Sequence, residues 1–232
     1  MPHAALVTDD LPSFLSAGPA HPTDDRLARC LLRQAQGSFQ KWPEGFGGFR
    51  ASVACQTGDG PVGGRVAVTA QGHVAVDCGN PIVRTLLHDM LATVALDRTP
   101  RFFDEGDGRF PISFADAGDA SPCRVVHVHA RLGALRYHID AKRRVLAIER
   151  ITHGLRAVTA FEGFMRTTPG RVLPTQTVSS TWDVATGALL RSESVHDSHR
   201  RVEHVWLPSA RRIARSGDAP PIVLSLLDHE LL

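Results

Sequence analysis

The chain has 232 residues, of which 43% are hydrophobic and 22% charged. That size and balance suit one globular domain and exclude global disorder. Twenty-six basic against 24 acidic residues leave a net charge of +2, too little for the concentrated basic stripe of a general nucleic-acid binder. No run approaches the ~18 consecutive apolar residues of a membrane-spanning helix.

Residues 1–22 carry Pro2, Pro12, Pro19 and Pro22 among small residues and read as a flexible arm, with residues 23–232 as a single α+β domain. The first stretch lacks a cationic start and includes Asp9 and Asp10, so it does not read as a signal peptide. Cys30, Cys55, Cys78 and Cys123 are widely spaced without a Cys-x-x-Cys pair, which fits reduced thiols and a cytoplasmic location.

A helix is expected from Thr23, with Thr23 as N-cap, Asp24 and Asp25 in the first turn, and Leu27, Leu31 and Leu32 on one side. It ends before Trp42-Pro43, and Gly45 to Phe49 form a loop. Phe49, Ala51, Val53 and Cys55 then alternate with Arg50, Ser52, Ala54 and Gln56 as a half-buried strand. Gly58-Asp59-Gly60-Pro61-Val62-Gly63 matches the dinucleotide fingerprint in spelling. The fingerprint needs a helix directly after it, and here a strand pattern follows, so it reads as a hairpin loop. Another hairpin joins residues 65–70 to 73–78. A second helix near 80–97 is capped by Asn80, has Pro81 at its first position, and carries a stripe of Ile82, Leu86, Met90, Leu91 and Val94.

Beyond Pro100 the pattern is of short strands, near 110–115, 123–130, 135–140, 144–152, 174–184, 188–196 and 202–207. The tail after Pro220-Pro221 fits a strand or a helix. Two helices with many antiparallel strands indicate an α+β fold with one large curved sheet, a half-barrel or open barrel.

Twelve histidines are about twice the usual share. In the first group, a loop centred on Leu132-Gly133 pairs Ala130 with Leu135 and His127 with His138. One face then carries Val126, Val128, Ala130, Leu135, Tyr137 and Ile139. The other carries His127, His129, Arg131, Arg136, His138 and Asp140. His127, His129 and His138 on one face have the chemistry of divalent transition-metal ligands. Two arginines among them repel a cation, so a solvated outer face is the expectation and the metal the alternative; no other cofactor is implied.

The second group is His196, His199 and His204. A turn at Asp183 to Gly187 pairs Trp182 with Leu190 and puts Val178, Ser180, Trp182, Leu190, Ser192, Ser194 and His196 on one face, expected to point inward. Thr177, Ser179, Thr181, Asp183, Arg191 and Glu193 fall on the opposite face, expected to be solvated. Val202, His204 and Trp206 follow on the apolar side of the next strand. Trp182, Trp206, Ser192 and Ser194 are candidate ligand-binding residues, because small-molecule sites are apolar with a few placed polar groups. His196 and His204 are candidate acid–base groups.

Three short motifs carry a resemblance. They are Trp42-Pro43 with Gly45 to Phe49, the strand ending Ile151-Thr152-His153-Gly154, and Trp182-Asp183 to Gly187-Ala188-Leu189-Leu190 opening a hairpin. Together they resemble an uncharacterised domain-of-unknown-function family best known from photosynthetic organisms, over roughly residues 25–215. The resemblance implies a large antiparallel sheet similar in outline to the half-barrels that carry lipid or lipoprotein chains, and no established activity. The family pattern is richer in histidine before His153-Gly154, where this chain has Glu149, Arg150 and Thr152, so only His153 carries over as a candidate catalytic residue.

The sequence therefore points first to a half-barrel holding an apolar or amphipathic small molecule in the concave face of its sheet. The alternative is a histidine-dependent, metal-dependent or metal-free, biosynthetic enzyme such as a cyclase, isomerase or oxygenase. A third reading is an assembly factor engaging a partner through a strand edge or the N-terminal arm.

Overall fold

The structure is a computed structural model that describes residues 23–115, 123–131, 133–217 and 219–232. The arm expected over residues 1–22 and the loop residue Leu132 lie outside the described residues. In chain order the elements are α1 (Arg26–Gly37), β1 (Gly48–Thr57), β2 (Gly60–Thr69), β3 (Val74–Asp77), α2 (Pro81–Arg98), β4 (Ile112–Phe114), β5 (Cys123–Val128) and β6 (Ala134–Asp140). They continue as β7 (Val145–Thr152), β8 (Leu155–Arg166), β9 (Val172–Asp183), β10 (Leu189–Val202), β11 (Val205–Arg215) and β12 (Ile222–Leu231).

The twelve strands form one antiparallel sheet in the order β3-β2-β1-β12-β11-β10-β9-β8-β7-β6-β5-β4. Its edges, β3 and β4, remain apart, so the sheet is curved and open. Neighbouring strands are consecutive in sequence except at β1 and β12, where the end of the chain pairs with the first strand. This is the expected α+β class, and the undecided tail is a strand. β8 was not among the expected strands, because Ala157, Ala160 and Gly163 dilute its alternation.

Both helices start close to their predicted positions, with corrections. Asp25, not Thr23, caps α1: its Oδ1 accepts from the backbone N–H of Leu27 at 2.7 Å and Ala28 at 3.1 Å. Asp24 instead binds Arg29 at 2.7 and 3.0 Å and accepts from the Ile112 N–H at 2.8 Å, tying α1 to β4. The buried stripe of α1 is Ala28, Leu32 and Ala35, while Leu27 is 73% exposed. Asn80 caps α2 through the N–H groups of Ile82 and Val83. Its buried side is Val83, Leu87, Met90, Leu91, Val94, Ala95 and Arg98, rotated from the expected stripe so that Ile82 is 80% exposed.

The apolar interior consists of two clusters. α2 packs on Phe49, Val53, Cys55, Val66, Val68, Leu207, Ile213, Leu224 and Leu226. α1 packs on Ile112, Val126, Val128, Tyr137 and Ile139, with Ile148 and Phe161 alongside. Directly opposed residues of antiparallel strands share a face, and Phe161, Thr177, Val195 and Ile213 stand opposite one another across β8 to β11. That row joins the two clusters, so both helices cover the same face, over opposite wings of the sheet.

Candidate functional site

Between the two wings the helix-covered face is polar. One row across six strands reads Tyr137, Ile148, Thr159, Ser179, Glu193 and Arg215. The next one outward includes Arg150, Ala157, Thr181 and Arg191. Thr159, Thr177, Ser179 and Thr181 are half-buried, and the Thr159 and Ser179 hydroxyls lie 3.1 Å apart. Glu193 accepts from Arg191 at 2.7 Å and Arg215 at 3.0 Å, and these partners hold its carboxyl below the usual range against the opposing effect of burial. The result is a trough of hydroxyl groups flanked by two apolar clusters.

One end of the trough is closed. The segment after α1 crosses the β8–β9 hairpin there, where Gln40 N–H donates to Val172 O at 2.8 Å and Val172 N–H to Ser38 O at 2.9 Å. Trp42 N–H then donates to Arg98 O at the end of α2, 2.8 Å away. Beneath lie Asp197 and Arg211, paired through both guanidinium edge nitrogens at 2.7 and 2.8 Å, with Arg211 Nη1 also donating to Met90 O at 3.3 Å. Arg98 is only 4% exposed, and Nη2 donates to Trp206 O at 2.8 Å. Burial pushes Arg98 down to about 10 and His199 down to about 4, with the Arg98 charge adding to the effect on His199. The imidazole of His199 is therefore neutral at neutral pH.

The residues singled out from the sequence lie mostly on the other face. Trp182 pairs with Leu189 rather than the expected Leu190, which is bulged out. Beyond the bulge Ser192 pairs with Ser180 and Ser194 with Val178, so Val178, Ser180, Ser192, Ser194 and His196 do share a face. That grouping does not point inward. Its facing is corrected by the register: Ser179 and Glu193, the neighbours expected to be solvated, take the helix-covered side. His196 is exposed, and the Ser180 and Ser192 hydroxyls lie 3.0 Å apart. Trp182 also stands on the open face, over the Arg156 guanidinium at 5.3 Å. On β11 the buried residues are Val205 and Leu207, so alternation puts Trp206 on the opposite side from them, and His204 is exposed in the turn.

His127, His129 and His138 share that open face. Their register is two residues from the expected one: His127 pairs with Arg136, and His138 with Val125. A shift of two keeps every side chain on its expected face. The polar side is half-buried rather than fully solvated. His129 Nε2 lies 2.9 Å from Ser113 Oγ, and His138 Nδ1 lies 4.0 Å from Cys123 Sγ. Among the described residues, no three His, Cys, Asp or Glu side chains gather closely enough to hold a metal ion. A shallow hollow beside His127, His129, Gly133 and Leu135 has a volume of about 180 Å³, below the ~300 Å³ of ordinary ligand pockets. His153 sits with Gly154 in the β7–β8 turn, at φ 50° and 75°, and is exposed.

Sequence reading missed Arg98. Its signal was present: Leu87, Leu91, Val94 and Arg98 continue a single helical stripe at spacings of four, three and four, so an arginine occupied an apolar position.

The family described as "Protein of unknown function (DUF3386)" matches residues 23–231. The chain belongs to this family. No curated protein matches it. Among solved structures, it is similar to a putative outer membrane lipoprotein-sorting protein domain from Vibrio parahaemolyticus, at 9% identity and a TM-score of 0.33, covering 88% of this chain and 92% of that one. The Pseudomonas aeruginosa MucA/MucB complex matches at 11% identity and a TM-score of 0.27, covering 88% and 94%. Within this DUF3386 member, no described helix is long and apolar enough to cross a membrane.

Proposed function

We propose that this DUF3386 protein binds an amphipathic small molecule in the trough of the helix-covered face. The observation that supports this most directly is the band of half-buried hydroxyls, Thr159, Thr177, Ser179 and Thr181, between two separate apolar clusters. A sheet face that served only as core would be apolar across its width. Here an apolar chain could lie against Phe161 and Val195 while polar groups meet the hydroxyls and the Glu193–Arg215 pair.

The test compares the two faces. Binding of dodecanol is followed by tryptophan fluorescence in Ser179→Trp, which fills the trough, and in Ser194→Trp, on the open face. Loss of binding only in Ser179→Trp is expected. Loss only in Ser194→Trp would move the site to the open face and overturn the proposal.

A further inference from the structure

Four residues at the closed end of the trough carry five buried nitrogens without a hydrogen-bond partner among the described residues: Trp42 Nε1, Arg98 Nε, Arg98 Nη1, His199 Nδ1 and His229 Nδ1. Backbone and ring contacts link them. Trp42 is bonded to Arg98 through the backbone, and Arg98 to Trp206 O. His199 pairs with Pro208, whose carbonyl accepts from His229 Nε2 at 2.8 Å. The His229 ring lies 5.8 Å from Phe49, which lies 6.5 Å from Trp42.

Trp42 and Arg98 hold the unused donors of this group, while His229, donating from Nε2, keeps Nδ1 as an acceptor. Among the described residues no carboxylate makes an ion pair with Arg98: Asp197 is held by Arg211, and the neighbouring Asp97 acts on Arg98 through its charge without an ion-pair contact. Of the two hydrogens on Arg98 Nη2, one goes to Trp206 O. The other forms, with Nε–H or Nη1–H, a two-point edge of the geometry that carboxylate and phosphate oxygens accept. A buried guanidinium with unused donors is costly unless an acceptor meets it, and an oxyanion is the acceptor that also offsets its charge.

We propose that Arg98 anchors one oxyanion, a carboxylate or phosphate, at the closed end of the trough, so that the amphipathic ligand is acidic. This rests on the trough as the binding site. Calorimetric titrations with dodecanoate, dodecyl phosphate, dodecanol and inorganic phosphate test it on the wild type, Arg98→Met and Arg98→Lys. Both acidic amphiphiles should bind at least about tenfold more tightly than dodecanol, and the tighter of the two identifies the head group. Arg98→Met should lose that preference, binding the two acids no more tightly than dodecanol. Arg98→Lys, which keeps the charge without the fork, should lose part of the preference and serves if Arg98→Met does not fold. Equal binding of dodecanol and the acids, or an unchanged preference in both variants, overturns the oxyanion while the trough stands. Binding of inorganic phosphate that needs Arg98, with no dodecyl compound bound, overturns the trough and supports the oxyanion. Binding of no compound overturns both.

Discussion

Arg156 Nε donates to Glu149 Oε1 at 2.5 Å on the face away from both helices, where Glu149 is only 5% exposed. Arg136 approaches the same carboxylate at 3.5 Å from the neighbouring strand, and Trp182 shields the Arg156 guanidinium. A buried acid is thus compensated by two arginines, one of them half-exposed. Removing one partner of a fully buried pair costs about 3–5 kcal/mol. Because Arg156 can return to water, Glu149→Ala should cost less, about 2 kcal/mol. Urea unfolding measures it, with exposed Glu162→Ala as a control expected within about ±0.5 kcal/mol. A Glu149→Ala midpoint matching the control would show that the arginines do not depend on this carboxylate.

The N-terminus of α1 offers a more local test. Asp25 satisfies two otherwise unpaired N–H groups, and Asp24 joins the helix to β4. Asp25→Ala should destabilise by about 1 kcal/mol, whereas Asp25→Asn should retain most of the cap. If Thr23 were the cap, Thr23→Ala would carry that loss and Asp25→Ala would be silent.

Much of the sheet was legible because alternation reports parity. The groupings on β5, β6, β9 and β10 all follow from period two, and a slip of two residues between His127 and its partner left them intact. Alternation does not say which group faces the helices. On β9 and β10 both faces mix hydroxyl and apolar residues, Ser180 with Val178 on one side and Ser179 with Val195 on the other, so local pattern carries no sign. The sign comes from the register through twelve strands, ending at Phe161 on one wing and Ile213 on the other. Arg98 was obscured differently: helix rules expect a basic residue in a last turn, which offered an ordinary account of a residue that is in fact buried.

The His153-Gly154 motif is accounted for by backbone geometry. Thr152 pairs with Leu155, and the two residues between them have φ of 50° and 75°, as a two-residue hairpin turn of type I′ requires. Gly154→Ala should cost about 1 kcal/mol from the left-handed backbone alone, since nothing crowds its added methyl. His153→Asn places the favoured Asn-Gly pair in the turn and should change stability by no more than about 0.5 kcal/mol, leaving dodecanol binding unaltered. Thermal melting and the binding titration together check this. A large loss of binding in a stable His153→Asn protein would restore a functional role to the imidazole.

The buried histidines give the protein a pH dependence of defined sign. His199 falls from its ordinary 6.5 to about 4, chiefly through burial, and His129, His138 and His229 are lowered for the same first reason. Between those values the unfolded chain binds a proton at His199 that the folded one does not, so unfolding becomes easier as pH falls. The stability is fully present above the unfolded value and is lost progressively below it. For His199 the loss between about pH 7 and pH 5 is on the order of 2 kcal/mol. Asp24, Asp140 and Glu193, held low by their arginine partners, contribute only at more acid pH. Asp97, which burial holds above the usual carboxylate range, acts with the opposite sign and gains stability as pH falls, so the loss in this window comes from the histidines. Urea midpoints at the two pH values should differ in the wild type, and His199→Gln should remove a large part of the difference. An unchanged pH slope in His199→Gln would mean that this ring gains a proton in the folded protein as readily as in the unfolded chain. That would require more negative charge at the closed end of the trough than Asp197 supplies against Arg98 and Arg211.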